Sequence, residues 1–361
     1  MSKEIFTYSR TIREQIHHLR DIAGNEEDVL SFLKQKISNG LKLKDKKREP
    51  SFDDLVFLPA NLTRLVIDPY REKCNTRTVI GEKSALPLKI DSPIIIGGLL
   101  FSEMSEDLRN KFSKGAVLEG IGLRVPISTT IHMNGVKVIG VVPLKSEILT
   151  CSIAGFSSIE IEPDNPNVPL NEVAIKDALE VYRSGGVKVP IGITIGPNFV
   201  PENIKIAVKT GLDFVTLSAV ERLRNHNGIV TFSEDKIPRI DVIAEAVETL
   251  RAVNHEEDID LVYFGGIRSG DDIAKALALG AKAVMIGEAA HIAVEADLSM
   301  DSSANYLSRL VKAFVMETVM LTCCCGKTDV HNLEPEDLRS LTIETSISTG
   351  IPVVGRDQIF R

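Results

Sequence analysis

The sequence predicts a (β/α)8 barrel. From residue 91 onward, eight short runs rich in Val and Ile alternate with amphipathic helical stretches, the pattern of a parallel sheet covered by helices. The clearest unit, residues 261–287, reads strand, Gly-Gly turn, helix, strand, glycine. It sets two glycine turns at the ends of neighbouring strands, where glycine lets backbone N–H groups approach an anion such as a phosphate. In a (β/α)8 barrel such a site follows the seventh and eighth strands.

The elements follow in order. Residues 1–50 form a charged, helical extension: Ile12, Ile16 and Leu19 recur at helical spacing, as do Val29, Phe32, Leu33 and Ile37. Residues 41–50 are basic and read as a solvated linker. Residues 51–90, punctuated by Pro59, Pro69 and Pro87, make an irregular lead-in. The barrel spans 91–322, with strands at 92–98, 122–128, 137–142, 158–162, 187–195, 213–218, 260–265 and 282–287. Eight strands over about 200 residues suit a barrel near the lower end of its size range. Residues 136–169 leave little room for a helix and invite extra β structure; a doubly wound open sheet is the competing fold. Between residues 265 and 287, Ser269 or Asp271 caps the helix, Ile273 and Leu277 mark its buried stripe, and Gly280 ends it. Helices follow at 289–296 and 304–322. The tail, 323–361, packs on the barrel and carries a short helix from Pro335 to about Leu341, started by Glu334-Pro335.

Composition narrows the classes. In 361 residues the formal net charge is −8, with 43% hydrophobic and 25% charged residues, a globular balance. The acidity argues against nucleic acid and anionic membranes as partners. No apolar run is long enough to span a bilayer, and the start has no signal-peptide core, so the expected location is cytoplasmic. Five cysteines, Cys74, Cys151 and the run Cys323-Cys324-Cys325, fit no disulfide framework. Consecutive side chains on a helix diverge by about 100°, so the run reads as small residues at a helix end and no metal site is expected. His132 in a strand-end loop and His226 beside Arg222 and Arg224 are weighed as a proton donor and an anion contact, against plain loop residues. His331 reads as a turn element, and His17-His18 as surface.

Several motifs in the right order resemble the FMN-binding synthase domain of the glutamate synthase family. They are Asp53-Asp-Leu-Val-Phe-Leu-Pro-Ala-Asn-Leu-Thr-Arg-Leu65 with Ile67-Asp68-Pro69-Tyr70, the turn Gly265-Gly266-Ile267-Arg268-Ser269-Gly270, the strand ending at Gly287, and Cys325-Gly326-Lys327-Thr328-Asp329-Val330-His331-Asn332-Leu333 through Leu338. The resemblance covers about residues 52–355. It implies FMN at the barrel mouth, with reduced flavin delivering electrons to an iminoglutarate made from 2-oxoglutarate and ammonia, and the protein supplying orientation and charge. On it, Gly265, Gly266, Arg268, Gly287 and the Glu288 backbone would hold the FMN phosphate, and Gly98, Ser128 and Thr194 would lie along the flavin. It also implies an electron-donor or glutaminase partner and a homo-oligomer or multi-subunit complex. No catalytic residue is assigned.

The departures gather at strand ends. Residues 128–135 and 218–228 replace glycine-rich turns, and 162–167 replaces a lysine-bearing glycine loop. Thr194 stands where a lysine is expected. The contiguous cysteines do not match the spaced cluster ligands, so no iron–sulfur cluster is expected. Glu288 follows Gly287, where the family carries a small hydroxyl residue or a cation. A carboxylate about 4 Å from one phosphate charge would cost about 4 kcal/mol at an effective dielectric of about 20. Three arrangements are open: Arg268 and the helix N-terminus offset the charge, Glu288 points away, or Glu288 pairs with Arg268 inside the phosphate site. The expected function is accordingly an FMN-dependent oxidoreductase acting on an amino or oxo acid. The alternatives are a flavin-less binding or assembly subunit and an FMN-dependent isomerase.

Overall fold

The computed structural model describes residues 49–60, 65–99, 101, 103–129, 135–144, 155–224, 230–232, 238–299 and 305–356. Residues 1–48, expected to be largely helical, and His132, Cys151 and His226 lie outside them. Strands in chain order are β1 (Leu55–Phe57), β2 (Thr78–Ile80), β3 (Leu88–Ile90), β4 (Ile94–Ile96), β5 (Gly122–Pro126), β6 (Lys137–Pro143), β7 (Ser158–Glu162), β8 (Ile191–Ile195), β9 (Phe214–Ser218), β10 (Arg222–Arg224), β11 (Val230–Phe232), β12 (Asp260–Phe264), β13 (Ala283–Ile286) and β14 (Leu338–Ser340). Helices are α1 (Glu106–Glu119), α2 (Glu172–Ser184), α3 (Val200–Thr210), α4 (Asp241–Ala252), α5 (Gly270–Ala278), α6 (Glu288–Ser299), α7 (Tyr306–Cys324) and α8 (Ile343–Thr349).

Strands β4 to β9, β12 and β13 close into a parallel barrel, so the competing open sheet is ruled out. The two doubtful strands, β6 and β7, pair in register from Ile139↔Ser158 to Pro143↔Glu162. Among the described residues, extra β structure lies after β9, where β10 and β11 form an antiparallel pair; residues 145–154, within the stretch expected to hold it, lie outside them. Outward residues such as Ile94, Leu123, Ile193, Val215 and Val284 are fully buried beneath the helices. Inward residues Ile95, Ile139, Phe214, Val262, Ala283 and Met285 form a second cluster with Ile80, Leu88 and Ile90 of the β2–β3 hairpin. That hairpin seals the end of the barrel where the strands begin: Gly81 N–H donates to Asp260 at 2.7 Å and Leu86 N–H to the Lys188 carbonyl at 3.1 Å. The opposite end, where βα loops emerge, is left for ligands.

The lead-in and tail hold regular structure that the sequence conceals. Strand β1 pairs antiparallel with β14, Leu55↔Ser340 through Phe57↔Leu338. The helix expected from Pro335 to Leu341 is therefore a 3-10 turn, Pro335–Asp337, followed by a strand. Leu338 and Ser340 are buried on either side of a half-exposed Arg339, the alternation of a strand with one face on the core. Lys275 on α5, itself buried, donates to the Phe52 carbonyl at 3.0 Å, and Phe52 meets Tyr263 edge-on at 5.5 Å. The lead-in is thereby fastened behind the Gly-Gly turn.

The cysteine run sits at the end of α7, with Cys323 and Cys325 buried and Cys324 exposed. No cluster of potential metal ligands occurs among the described residues. Nor is any helix among them long and apolar enough to cross a membrane.

Candidate functional site

At the open end of the barrel lies a cavity of about 740 Å3, a size that suits a small molecule or cofactor. Gly98, Gly265, Gly266, Arg268, Gly287 and Glu288 line it together, with Leu99, Val220, Phe264, Ile267, Met285, Ala289 and Ile292 making its walls largely apolar. Six of the eight residues expected from the sequence are thus brought to one place. Ser128, exposed after β5, and Thr194, buried inside the barrel, are not on this lining.

The glycines are required here. Gly265 and Gly266 have φ of 151° and 63°, and a Cβ on them would lie 2.6 Å from the Ala219 Cβ and 2.8 Å from the Pro238 Cγ. Any side chain would meet both a strained backbone and an occupied volume. Gly98 (φ 72°) lies against the Phe264 ring, where a Cβ would come within 2.3 Å. Among the described residues, no backbone or side-chain group accepts from the N–H groups of Gly265, Gly266, Gly287 or Glu288. Four main-chain donors therefore border one cavity, two of them at the start of α6. An anion is stabilised there by the donors and by the helix dipole.

Helix α5 does not share this role. Its Gly270 N–H donates to the Glu317 carboxylate of α7 at 2.6 Å, and its Asp272 N–H to Ser269 Oγ, the cap, at 3.2 Å. Gly270 is needed for packing: a Cβ would lie 2.2 Å from the Phe314 carbonyl oxygen.

Arg268 is committed as well. Its guanidinium donates to Asp53 at 2.8 and 3.2 Å and to Asp272 at 3.2 Å through both Nε and Nη2, while its own N–H donates to Asp272 at 2.8 Å. Hydrogen bonds donated to Asp53 and then to Asp272 raise its pKa further. The suggested Arg268–Glu288 pair does not form, because two nearer carboxylates hold the guanidinium. Glu288 is exposed at the first residue of α6, a position that favours an acid through the helix dipole.

A second polar group lies deeper, in the barrel lumen, and sequence reasoning missed most of it. Arg124 of β5 donates to Glu160 of β7 through Nε at 3.0 Å and Nη2 at 2.9 Å, and to Thr194 Oγ1 of β8 at 3.2 Å. Thr194 hydrogen-bonds Glu160 in turn. Contacts among three different strands are possible only inside the barrel. Glu162 stands 3.6 Å from Arg124 Nη2. Burial pulls the Arg124 pKa down, but Glu160 and Glu162 outweigh it and hold the group above its ordinary value. The signal was present in the sequence: charged residues at period two within apolar strands, Gly-Leu-Arg-Val-Pro and Ser-Ile-Glu-Ile-Glu.

His331 proves to be more than a turn element. Its N–H donates to Asp329 at 2.9 Å, and its ring Nε2 shares a 2.9 Å hydrogen bond with Thr78 Oγ1. Burial pulls its pKa down to about 4, with Lys282 adding to the shift. It lies at the sealed end of the barrel, beside the β2–β3 hairpin.

A closed parallel (β/α)8 barrel with glycine turns after its seventh and eighth strands defines the class. Residues 199–340 match the model of the FMN-dependent dehydrogenase family. The chain is 25% identical over 393 residues to a glutamate synthase large subunit-like protein of Rhizobium meliloti (strain 1021), covering 86% of this chain and 89% of that one. The fold is also that of a flavocytochrome b2 variant with sulfite bound (TM-score 0.60, 19% identity, 85% of this chain and 80% of that one). A mandelate oxidase superposes similarly (TM-score 0.59, 16% identity, 80% and 88%). Residues 199–340 are thus similar to FMN-dependent dehydrogenases, and most of the chain is similar to a glutamate synthase large subunit-like protein.

Proposed function

We infer that the protein is an FMN-dependent oxidoreductase acting on a small α-substituted acid. The observation that carries the reading is the group of four N–H donors, without acceptors among the described residues, on one cavity at the ends of β12 and β13. Residues here fit the phosphate of a mononucleotide, with main-chain donors and the α6 dipole supplying the attraction that a free arginine would otherwise give. The apolar lining formed by Leu99, Phe264 and Met285 fits a flat aromatic ring. FMN, when bound, would supply the exchange of electrons and hydride. The chain would hold it by Gly265, Gly266, Gly287 and the Glu288 N–H, and would exclude water with the apolar wall. The substrate class is supported by the relatives' names, a glutamate synthase large subunit-like protein and a mandelate oxidase, which name an amino acid and a hydroxy acid.

A second reading has its own support. With Arg268 held by Asp53 and Asp272, His291 Nε2 standing 3.7 Å from Glu295, and the Glu288 carboxylate at the rim, no described side chain of the lining offers the cavity an uncommitted full positive charge. A barrel that binds without redox chemistry fits that charge pattern. The absorption spectrum of the purified protein, before and after FMN is added, separates the two. Flavin bands with one FMN per chain support the oxidoreductase, and turnover of an electron donor then separates it from a flavin-dependent isomerase. A colourless protein that takes up no FMN removes both enzyme readings.

A further inference from the structure

Arg124 is held in an unusual way for a structural ion pair. Glu160 occupies its Nε and Nη2, and Thr194 takes a second contact from Nη2. Nη1 has no partner among the described residues. The residue is 8% exposed and Glu160 is 0% exposed, so the carboxylate is sealed while one edge of the guanidinium retains access. An accessible N–H edge with no protein partner is open to donate to a ligand. A second orphan stands beside it. Thr216, in register with Thr194 and on the same inward face as Phe214, is 1% exposed, and its Oγ1 has no partner among the described residues. The group is also close to the cavity. A Cβ on Gly97 would touch Met285 Sδ at 2.4 Å and Arg124 Cβ at 3.0 Å, and Met285 lines the cavity.

Charge decides what the free edge can take. Arg124 faces two carboxylates, Glu160 and Glu162, so it offers N–H donors without surplus positive charge. A carboxylate brought there would meet net repulsion; a neutral carbonyl oxygen would not.

We propose that Arg124 is a ligand-binding residue whose Nη1 edge donates to a neutral ring carbonyl of the flavin, with Glu160 as its positioning residue. The proposal rests on the flavin reading above. It gives the contact to the polar end of the ring to Arg124, whose Nη2 also donates to Thr194, the position where the resemblance implies a lysine.

The test uses the full-length protein and two probes, FMN and lumiflavin, the latter having the ring but no ribityl phosphate. Arg124→Met alone would strand a buried carboxylate, so the variant is the double substitution Arg124→Met, Glu160→Leu, which replaces the pair by apolar groups of similar volume and should leave the fold intact. Thermal unfolding confirms that it folds. Loss of a hydrogen bond from a charged donor should weaken both probes by the same factor, about 10- to 100-fold. Glu288→Ser, acting at the phosphate, should change FMN binding and leave lumiflavin untouched. A folded double variant that binds both probes as the wild type does, with an unchanged flavin spectrum, overturns the assignment of Arg124 alone. A double variant that loses FMN but not lumiflavin also overturns it. If the wild type binds neither probe, the flavin reading itself fails and takes this proposal with it.

Discussion

Asp272→Ala tests what holds the Gly-Gly-Ile-Arg turn in its ligand-ready shape. Asp272 is 1% exposed and accepts three hydrogen bonds from Arg268: the main-chain N–H at 2.8 Å and guanidinium contacts at 3.2 Å. A hydrogen bond from an amide to a buried carboxylate contributes about 1.5–3 kcal/mol. The guanidinium part contributes less, because the Arg268 side chain is 59% exposed and keeps Asp53 as a partner; about 0.5–1 kcal/mol is appropriate after solvent screening. The sum is about 2–4 kcal/mol, or a fall in Tm of roughly 4–8 °C at about 2 °C per kcal/mol in a chain this long. Circular dichroism melts measure it, and FMN titration should show weakened binding as the turn loosens. Arg268→Ala should cost less than Asp272→Ala, since the residue-268 N–H still reaches the carboxylate. If Arg268→Ala were as costly, or Asp272→Ala left Tm unchanged, the main-chain bond would not be what fixes the turn.

Other outcomes follow from the same geometry. Gly265→Ala should abolish FMN uptake while the outer barrel stays folded, because its Cβ would fall 2.6 Å from Ala219 at a φ of 151°; fluorescence titration and a melt read the two effects separately. Glu288→Ser should tighten FMN and leave riboflavin unchanged. Exposure of Glu288 limits the gain to about 1 kcal/mol per phosphate charge, roughly fivefold. An unchanged FMN affinity would mean the carboxylate never faces the ligand. His331 has a folded pKa of about 4 against an ordinary 6.5. The unfolded chain therefore binds more protons between those values, and stability falls as pH drops from 6.5 towards 4, by on the order of 3 kcal/mol in full. His331→Gln, keeping a hydrogen-bonding group near Thr78, should flatten that part of the acid limb in urea melts; an identical pH profile would contradict the buried, neutral imidazole.

The barrel was legible because parallel strands buried on both faces leave continuous Val and Ile runs, as in Ile94–Ile96 and Ala283–Ile286. The glycine cradle was legible because Gly265 and Gly266 have no substitute at their backbone angles. What escaped depends on long-range partners. Asp53 and Arg268 are 215 residues apart, the residues paired between β1 and β14 are farther apart still, and no local pattern announces them. Glu334-Pro335 signals a helical start truthfully, but the buried alternation of Leu338 and Ser340 turns the chain into a strand one turn later. Thr194 was placed along the flavin because the resemblance sets a lysine at its position, yet its partners are Arg124 and Glu160, on strands that only barrel closure brings to face one another.

The central claim is that main-chain amides after β12 and β13 grip the phosphate of a flavin nucleotide. Isothermal titration of the full-length protein with FMN and with riboflavin measures this directly. The account predicts one FMN per chain, bound more tightly than riboflavin, with the difference lost in Gly265→Ala. Equal affinity for the two flavins, or no heat with either, would contradict it.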